Sequence, residues 1–164
     1  MADEKLITWI KKAHQTSTYT TSVCSGALVL AGAGLLNGLP ATTHWAAQSQ
    51  LTRFGATPMR NDRMVRAGKI WTAAGVSAGI DLAFALFGEI AGQEEAEIAQ
   101  LIIEYDPQPP FNAGHPSKAS DTVRTKAKAE MARLSKNPRN YISVLKILWR
   151  NAIDRSRKTK RGRR

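Results

Sequence analysis

The chain has a single cysteine, few aromatic residues and no apolar run near the length that crosses a bilayer. One unpaired cysteine argues against an oxidising compartment, where disulfides usually reinforce small proteins. The first residues also lack the basic start and apolar core of an export signal. We therefore expect a soluble cytoplasmic protein with no membrane partner, whose 164 residues fit one globular domain.

Acidic residues are scarce at one end of the chain only. Residues 1–115 hold 8 basic and 10 acidic side chains, net −2, whereas residues 116–164 hold 16 basic and 3 acidic ones, net +13. The overall charge of +11 therefore belongs to the tail. Its basic end would allow salt-sensitive nucleic-acid contacts, but the sequence favours a solvated cationic tail behind a docking helix.

Helix and strand patterns alternate along most of the chain. The predicted helices cover residues 5–14, 25–36, 48–54, 80–90, 93–104 and 120–134, and the predicted strands cover residues 19–23, 41–43, 63–65 and 69–72. Asn37-Gly38 is expected to close the second helix. This alternation predicts an α/β fold with mostly parallel strands and with ligands at the carboxyl ends of the strands.

Proline marks the expected end of the α/β part. Three prolines between Asp106 and Phe111 remove backbone donors and bias the preceding residues toward extended geometry. We therefore predict an α/β domain at residues 1–115, a helical extension at residues 116–154 and a disordered basic tail at residues 155–164.

The lone cysteine, Cys24, stands where a β-branched run meets a helix of small residues. A lone cysteine is more often a small buried hydrophobe. At a strand-to-helix turn, however, the free N–H groups of the helix stabilise a thiolate and can hold an oxyanion. The turn is the cysteine counterpart of the serine nucleophile elbow, so the flanking residues favour a nucleophile.

Three blocks of sequence occur in order: SVCSGALVLAGAGLLNGLPATTHW, RMVRAGKIWTAAGVSAGIDLAFAL and IIEYDPQPPFNAG. Together they resemble the PfpI-type branch of the class I glutamine amidotransferase-like superfamily, and its isonitrile hydratases most of all. The resemblance spans about residues 4–120. It implies a flavodoxin-like three-layer α/β sandwich, a homodimer and a small-molecule substrate.

The resemblance also implies a site and a reaction. Cys24 would attack an isonitrile, which becomes an N-substituted formamide without any metal or organic cofactor. Ser25 stands where isonitrile hydratases commonly have Thr, and its amide would support negative charge. His44 would either carry protons or donate to a backbone carbonyl in a structural role. Val76 and Ser77 would border the pocket.

Relatives begin with about a third of their fold before the position of Lys5, including the first strand, an acidic residue facing the nucleophile and a Gly-Gly loop. This sequence has no counterpart of that third, so we expect a chain truncated at its N-terminus. Two further functions stay open. One is a non-catalytic sensor or ligand-binding domain, as in related transcription regulators, and the other is redox sensing through Cys24.

Overall fold

A computed structural model describes residues 3–134 of the chain. The predicted tail at residues 155–164, and the helical extension beyond residue 134, lie outside the described residues. The helices are α1 (Glu4–Thr16), α2 (Gly26–Gly32), α3 (Gln48–Arg53), α4 (Val76–Ala91), α5 (Gln93–Ile102) and α6 (Asp121–Leu134), with a 3-10 turn at Trp45–Ala47. The strands are β1 (Thr20–Val23), β2 (Pro40–Ala41), β3 (Thr57–Pro58), β4 (Met64–Ala67) and β5 (Ile70–Ala73).

Strand β5 is the middle strand of a sheet with the order β1-β5-β4. It runs parallel to β1, so that Val23 lies opposite Ala73 at the carboxyl end of both strands. It runs antiparallel to β4, from which it is separated by a turn at Gly68 with φ 59°. Strands β2 and β3 form a second, parallel pair. The expected α/β fold with mostly parallel strands is confirmed, and the β4–β5 hairpin is its antiparallel part.

All four residues of β5 are buried, which is the pattern of a strand covered on both faces. Alternation along the strand sends Ile70 into one apolar cluster and Trp71 with Ala73 into another. The first cluster is built from α2, α3 and the loops beside them, and the second from the inner face of α4. Helices therefore cover both sides of the sheet, as expected for a three-layer sandwich.

Helix α2 is shorter than the sequence pattern predicts. It ends at Gly32, and Gly34 and Gly38 take left-handed conformations with φ 79° and 76°. The expected helix through residue 36 is wrong because glycine adopts this conformation at almost no cost and so stops the helix early. Leu36 still lies in the first apolar cluster, fully buried, although it is outside the helix.

Helix α4 begins at Val76, four residues before its predicted start, and packs against β1. The contact is close at Gly79, where an added Cβ would lie 2.7 Å from Cγ1 of Val23. At 16 residues α4 is the longest described helix. Within residues 3–134 no helix combines the length and the apolar character that a membrane span needs.

The contact between α4 and β1 predicts different effects of one substitution at two glycines of α4. Gly79→Ala forces the stiff side chain of Val23 to move, whereas the Cβ of Gly88→Ala would lie an ordinary 3.6 Å from the Cβ of Ala96. Both variants gain helix propensity, so their difference isolates the steric cost. We expect the free energy of unfolding of Gly79→Ala, measured by urea titration, to be about 1–3 kcal/mol lower than that of Gly88→Ala. Equal stabilities would contradict the close contact.

Candidate active site

Cys24 lies directly after β1, in a left-handed backbone conformation with φ 57°. Its N–H donates to the carbonyl of Ala73 at 3.0 Å, which continues the pairing of β1 with β5 by one residue. Its carbonyl accepts a hydrogen bond from Oγ1 of Thr43 at 2.7 Å. A left-handed residue other than glycine costs about 1–2 kcal/mol, and hydrogen bonds on both sides of Cys24 hold it in place.

Small residues after Cys24 let helix α2 begin without a connecting loop. Ser25 is the N-cap and already has the helical φ of −66°, although its side chain makes no capping hydrogen bond. Gly26 begins α2 beside β1, where an added Cβ would lie at an ordinary contact distance of 3.5 Å from the Cβ of Ser22. The chain therefore reverses sharply at Cys24, and the expected strand-to-helix elbow is present.

The loop after β2 is held by a buried network of polar side chains. Thr42 and Thr43 are fully buried, and Nε2 of Gln48 donates to Oγ1 of Thr42 at 3.0 Å and to the carbonyl of Thr43 at 2.9 Å. The N–H of Thr42 donates to Oγ1 of Thr72 on β5 at 2.9 Å. These bonds fix Thr43 beneath the elbow. Sequence reasoning missed this role for Gln48 and the threonines, because nothing in their spacing indicates it.

His44 is half-buried beside the elbow, and this burial lowers the pKa of its imidazole below the ordinary 6.5. The ring is therefore neutral at pH 7. Its Nδ1 accepts a hydrogen bond from the N–H of Ala46 at 3.4 Å and caps the 3-10 turn Trp45–Ala47. His44 therefore has a structural role. Its imidazole accepts a hydrogen bond from an amide, whereas in the structural role that the sequence suggested it would donate one to a carbonyl.

Cys24 opens on a broad cleft of about 1060 Å³. The elbow and the loop that carries His44 contribute one part of its lining, and the chain from His115 into α6 contributes another. The residues that line it are Cys24, Ser25, Leu28, His44, Trp45, Ala46, Ala47, Gln48, Ser49, Gln50, Arg60, Asn61, His115, Pro116, Ser117, Arg124, Lys128, Met131 and Ala132. The structure therefore brings Cys24, Ser25 and His44 together, with Cys24 partly exposed and Ser25 exposed.

The cleft contains side chains that sequence reasoning did not single out. His115 lines it and points Nδ1 at Oγ of Ser117, at 2.7 Å. Arg124 lies on α6 and donates to the carbonyl of Pro116 at 2.8 Å. From the sequence, residues 116–164 could be described only by their total charge. The sequence therefore did not reveal which of their cations line the cleft.

Val76 and Ser77 are not among the residues that line the cleft. Val76 is 79% exposed at the start of α4. Ser77 accepts at its Oγ from Nη2 of Arg63 and at its carbonyl from the hydroxyl of Tyr105, both at 3.4 Å. The contacts of Ser77 thus belong to a polar cluster on α4, separate from the contacts made by Cys24.

Asp81 is the centre of that cluster. One carboxylate oxygen accepts from Nε of Arg63 at 2.7 Å, and the other accepts from the hydroxyl of Tyr105 at 2.6 Å. The ring of Tyr105 also packs against Phe84, with centroids 5.4 Å apart. The cluster ties the chain after α5 to α4.

The described residues contain no cluster of three or more His, Cys, Asp or Glu side chains that could hold a metal ion. Asp81, the acidic residue of the polar cluster on α4, already accepts hydrogen bonds from Arg63 and Tyr105. The described lining of the cleft includes one thiol, two imidazoles and three cations.

Comparison with known proteins matches the DJ-1/PfpI family at residues 1–89. The chain is 44% identical over 132 residues to the isonitrile hydratase of Pseudomonas putida, covering 80% of this chain and 58% of that protein. The chain therefore spans less than two thirds of this curated relative.

Solved structures show the same fold. A THiJ/PfpI family protein from Pseudomonas syringae superposes with a TM-score of 0.78 and is 39% identical, covering 89% of this chain and 57% of that one. Drosophila melanogaster DJ-1beta has a TM-score of 0.55 at 18% identity, covering 60% of this chain and 52% of that one, and supports the fold alone. The expected flavodoxin-like α/β fold is confirmed.

The polar cluster around Asp81 predicts how stability depends on alkaline pH. The hydrogen bond to Asp81, followed by desolvation, raises the pKa of Tyr105 above 10.0 in the folded protein. The stability that this hydrogen bond contributes is fully present below the pKa that Tyr105 has in the unfolded chain. It is lost as the pH rises through the higher pKa of Tyr105 in the folded protein. The stability advantage of the wild type over Tyr105→Phe should therefore shrink above pH 10.

Denaturant unfolding at a series of alkaline pH values checks this expectation. Tyr19→Phe is the control, since Tyr19 packs on Trp71 at the other end of the sheet. An advantage over Tyr105→Phe that stays constant across the alkaline range would contradict the assignment.

Proposed function

This chain belongs to the DJ-1/PfpI family, and on that premise we propose that it converts isonitriles to N-substituted formamides with Cys24 as the nucleophile. The observation that carries the proposal is the left-handed elbow that opens Cys24 onto a large cleft. Strained residues that other contacts hold in place are typical of functional sites. The 44% identity with an isonitrile hydratase supports the choice of reaction.

The proposed reaction consumes one isonitrile and one water. The thiolate of Cys24 adds to the terminal isonitrile carbon, forming a C–S bond, and that carbon takes up a proton to give a thioimidate. Water then adds to the same carbon, the C–S bond breaks, and the nitrogen takes up a proton. The thiolate leaves unchanged, and the formamide contains all the atoms of the isonitrile and the water. No oxidant, metal or organic cofactor enters this balance.

Neighbouring residues have supporting roles in the proposal. Ser25 is exposed on the same wall as Cys24, so its hydroxyl and amide can approach the group that gains negative charge. Nδ1 of His44 already accepts from Ala46, which favours His44 as a wall of the site over His44 as the proton carrier. Val76 and Ser77 do not line the cleft, so the proposal gives them no contact with the substrate.

The remaining expectations from the sequence stay within this proposal. They are a small-molecule substrate, a homodimer, a cytoplasmic location and no dependence on a nucleic-acid or membrane partner. A sensor without catalysis and a redox-sensing thiol are the two alternatives to this proposal. They become the leading hypotheses if the experiment below shows no isonitrile turnover.

Isonitrile consumption by the full chain tests the proposed reaction. We expect cyclohexyl isonitrile to yield N-cyclohexylformamide in an NMR assay, and Cys24→Ala to reduce the rate by about a thousandfold or more, because no other thiol is present. Digestion after an acid quench should locate an adduct with the mass of the isonitrile on the peptide that contains Cys24.

A matched control separates loss of chemistry from loss of folding. Ser49→Ala removes a hydroxyl from the same cleft while leaving the elbow intact, and it should keep most of the activity. Formamide production by Cys24→Ala at the wild-type rate, or no production by the wild type, would show that the proposal is wrong.

A further inference from the structure

The cleft that contains Cys24 is cationic. Arg60 and Arg124 contribute guanidinium groups and Lys128 an ammonium group, whereas the lining residues within the described part of the chain include no aspartate or glutamate. The cations come from two parts of the chain, since Arg60 lies in the loop after β3 and the other two lie on α6. Helix α6 also carries two acidic side chains, Asp121 and Glu130, which form ion pairs with Arg124 and Arg133.

Two of the three cations lack a counter-ion within the described part of the chain. Arg124 forms an ion pair with Asp121 and also donates to the carbonyl of Pro116. Arg60 and Lys128 have no carboxylate partner among residues 3–133, and both are exposed to the cleft. Two cations without a carboxylate partner in the cleft that contains Cys24 favour a ligand that brings negative charge.

The cleft walls also limit how well water screens these charges. Leu28, Trp45 and Met131 line it with apolar surface. Electrostatic attraction to a bound anion is stronger beside such walls than in open solvent. Guanidinium and ammonium groups are the side chains that bind carboxylates best, the first through two parallel N–H donors and the second as a point charge.

We propose that the site takes isonitriles whose N-substituent carries a carboxylate, which Arg60 and Lys128 bind while the isonitrile carbon faces Cys24. This inference rests on the proposed isonitrile hydration and names its substrate class. Arg60 and Lys128 are then specificity residues, because they touch the substituent and leave the reacting carbon to the thiol.

Isocyanoacetate and its methyl ester form a matched pair of probes that differ in one charge. We expect kcat/KM of the full chain to be about tenfold higher for the acid at low salt, mainly through KM, as one favourable charge interaction in a partly screened site allows. The ratio should fall toward one in about 0.5 M salt, where the screening length is short.

Substitutions in α6 provide the matched variants. Lys128→Gln should lower the acid-to-ester ratio of kcat/KM severalfold, and Arg60→Gln, in the loop after β3, should do the same. Lys126→Gln removes an equal charge from the same helix outside the lining residues, and it should leave the ratio as in the wild type.

The outcomes separate this inference from the proposed function. Turnover of cyclohexyl isonitrile with equal kcat/KM for the acid and the ester would overturn the inference and leave the proposed function standing. Turnover of no isonitrile would overturn the proposed function.

In that second case, calorimetry decides the inference with the products N-formylglycine and its methyl ester as ligands. Binding of the acid alone, weakened in Lys128→Gln and kept in Lys126→Gln, would support a carboxylate site. Equal binding of the two, or binding of neither, would overturn it.

Discussion

The candidate site depends on the backbone of Cys24 being held at φ 57°. A cysteine in a regular continuation of β1 would follow the alternation of the strand, whereas the left-handed turn places it at the end of the sheet. The hydrogen bonds to Ala73 and from Thr43 act on the two peptide groups that flank the residue. Each bond contributes about 1 kcal/mol, so together they offset the cost of the conformation.

The rest of the fold supports these two hydrogen bonds. The carbonyl of Ala73 is fixed because β5 is buried on both faces, and the hydroxyl of Thr43 is fixed because Gln48 holds the loop that carries it. Helix α4 approaches β1 so closely at Gly79 that an added Cβ would lie 2.7 Å from Cγ1 of Val23, the residue before Cys24. The α/β sandwich therefore holds the sharp turn at Cys24 in place. The cleft is lined by this turn and by the chain that leads into α6.

Local patterns predicted the parts of this arrangement that depend on local chemistry. The strand before Cys24 and the helix after it follow from β-branched and small residues, and so does the elbow between them. The end of α2 was predicted wrongly, because Gly34 was counted as part of an apolar helix although it adopts a left-handed conformation. Periodicity describes which face is apolar, and it does not show where glycine ends a helix.

The cleft could not be predicted because it joins distant parts of the chain. Lys128 and Arg60 are 68 positions apart in sequence, and only the packing of α6 places them in the same cleft. The sequence alone shows that the C-terminal segment is strongly basic. It does not show that Arg124 and Lys128 of this segment line the cleft that contains Cys24. The resemblance supplied the proposed reaction and the proposed nucleophile, and the structure supplied the surroundings from which the substrate class is inferred.

The free energies of unfolding of Cys24→Gly and Cys24→Ala test the central constraint most directly. Glycine relieves the left-handed strain that alanine keeps, while it loses more backbone entropy on folding. The account predicts that Cys24→Gly is the more stable of the two by about 0.5–1 kcal/mol. A Cys24→Ala protein as stable as Cys24→Gly, or more stable, would contradict an elbow that is strained to present its thiol.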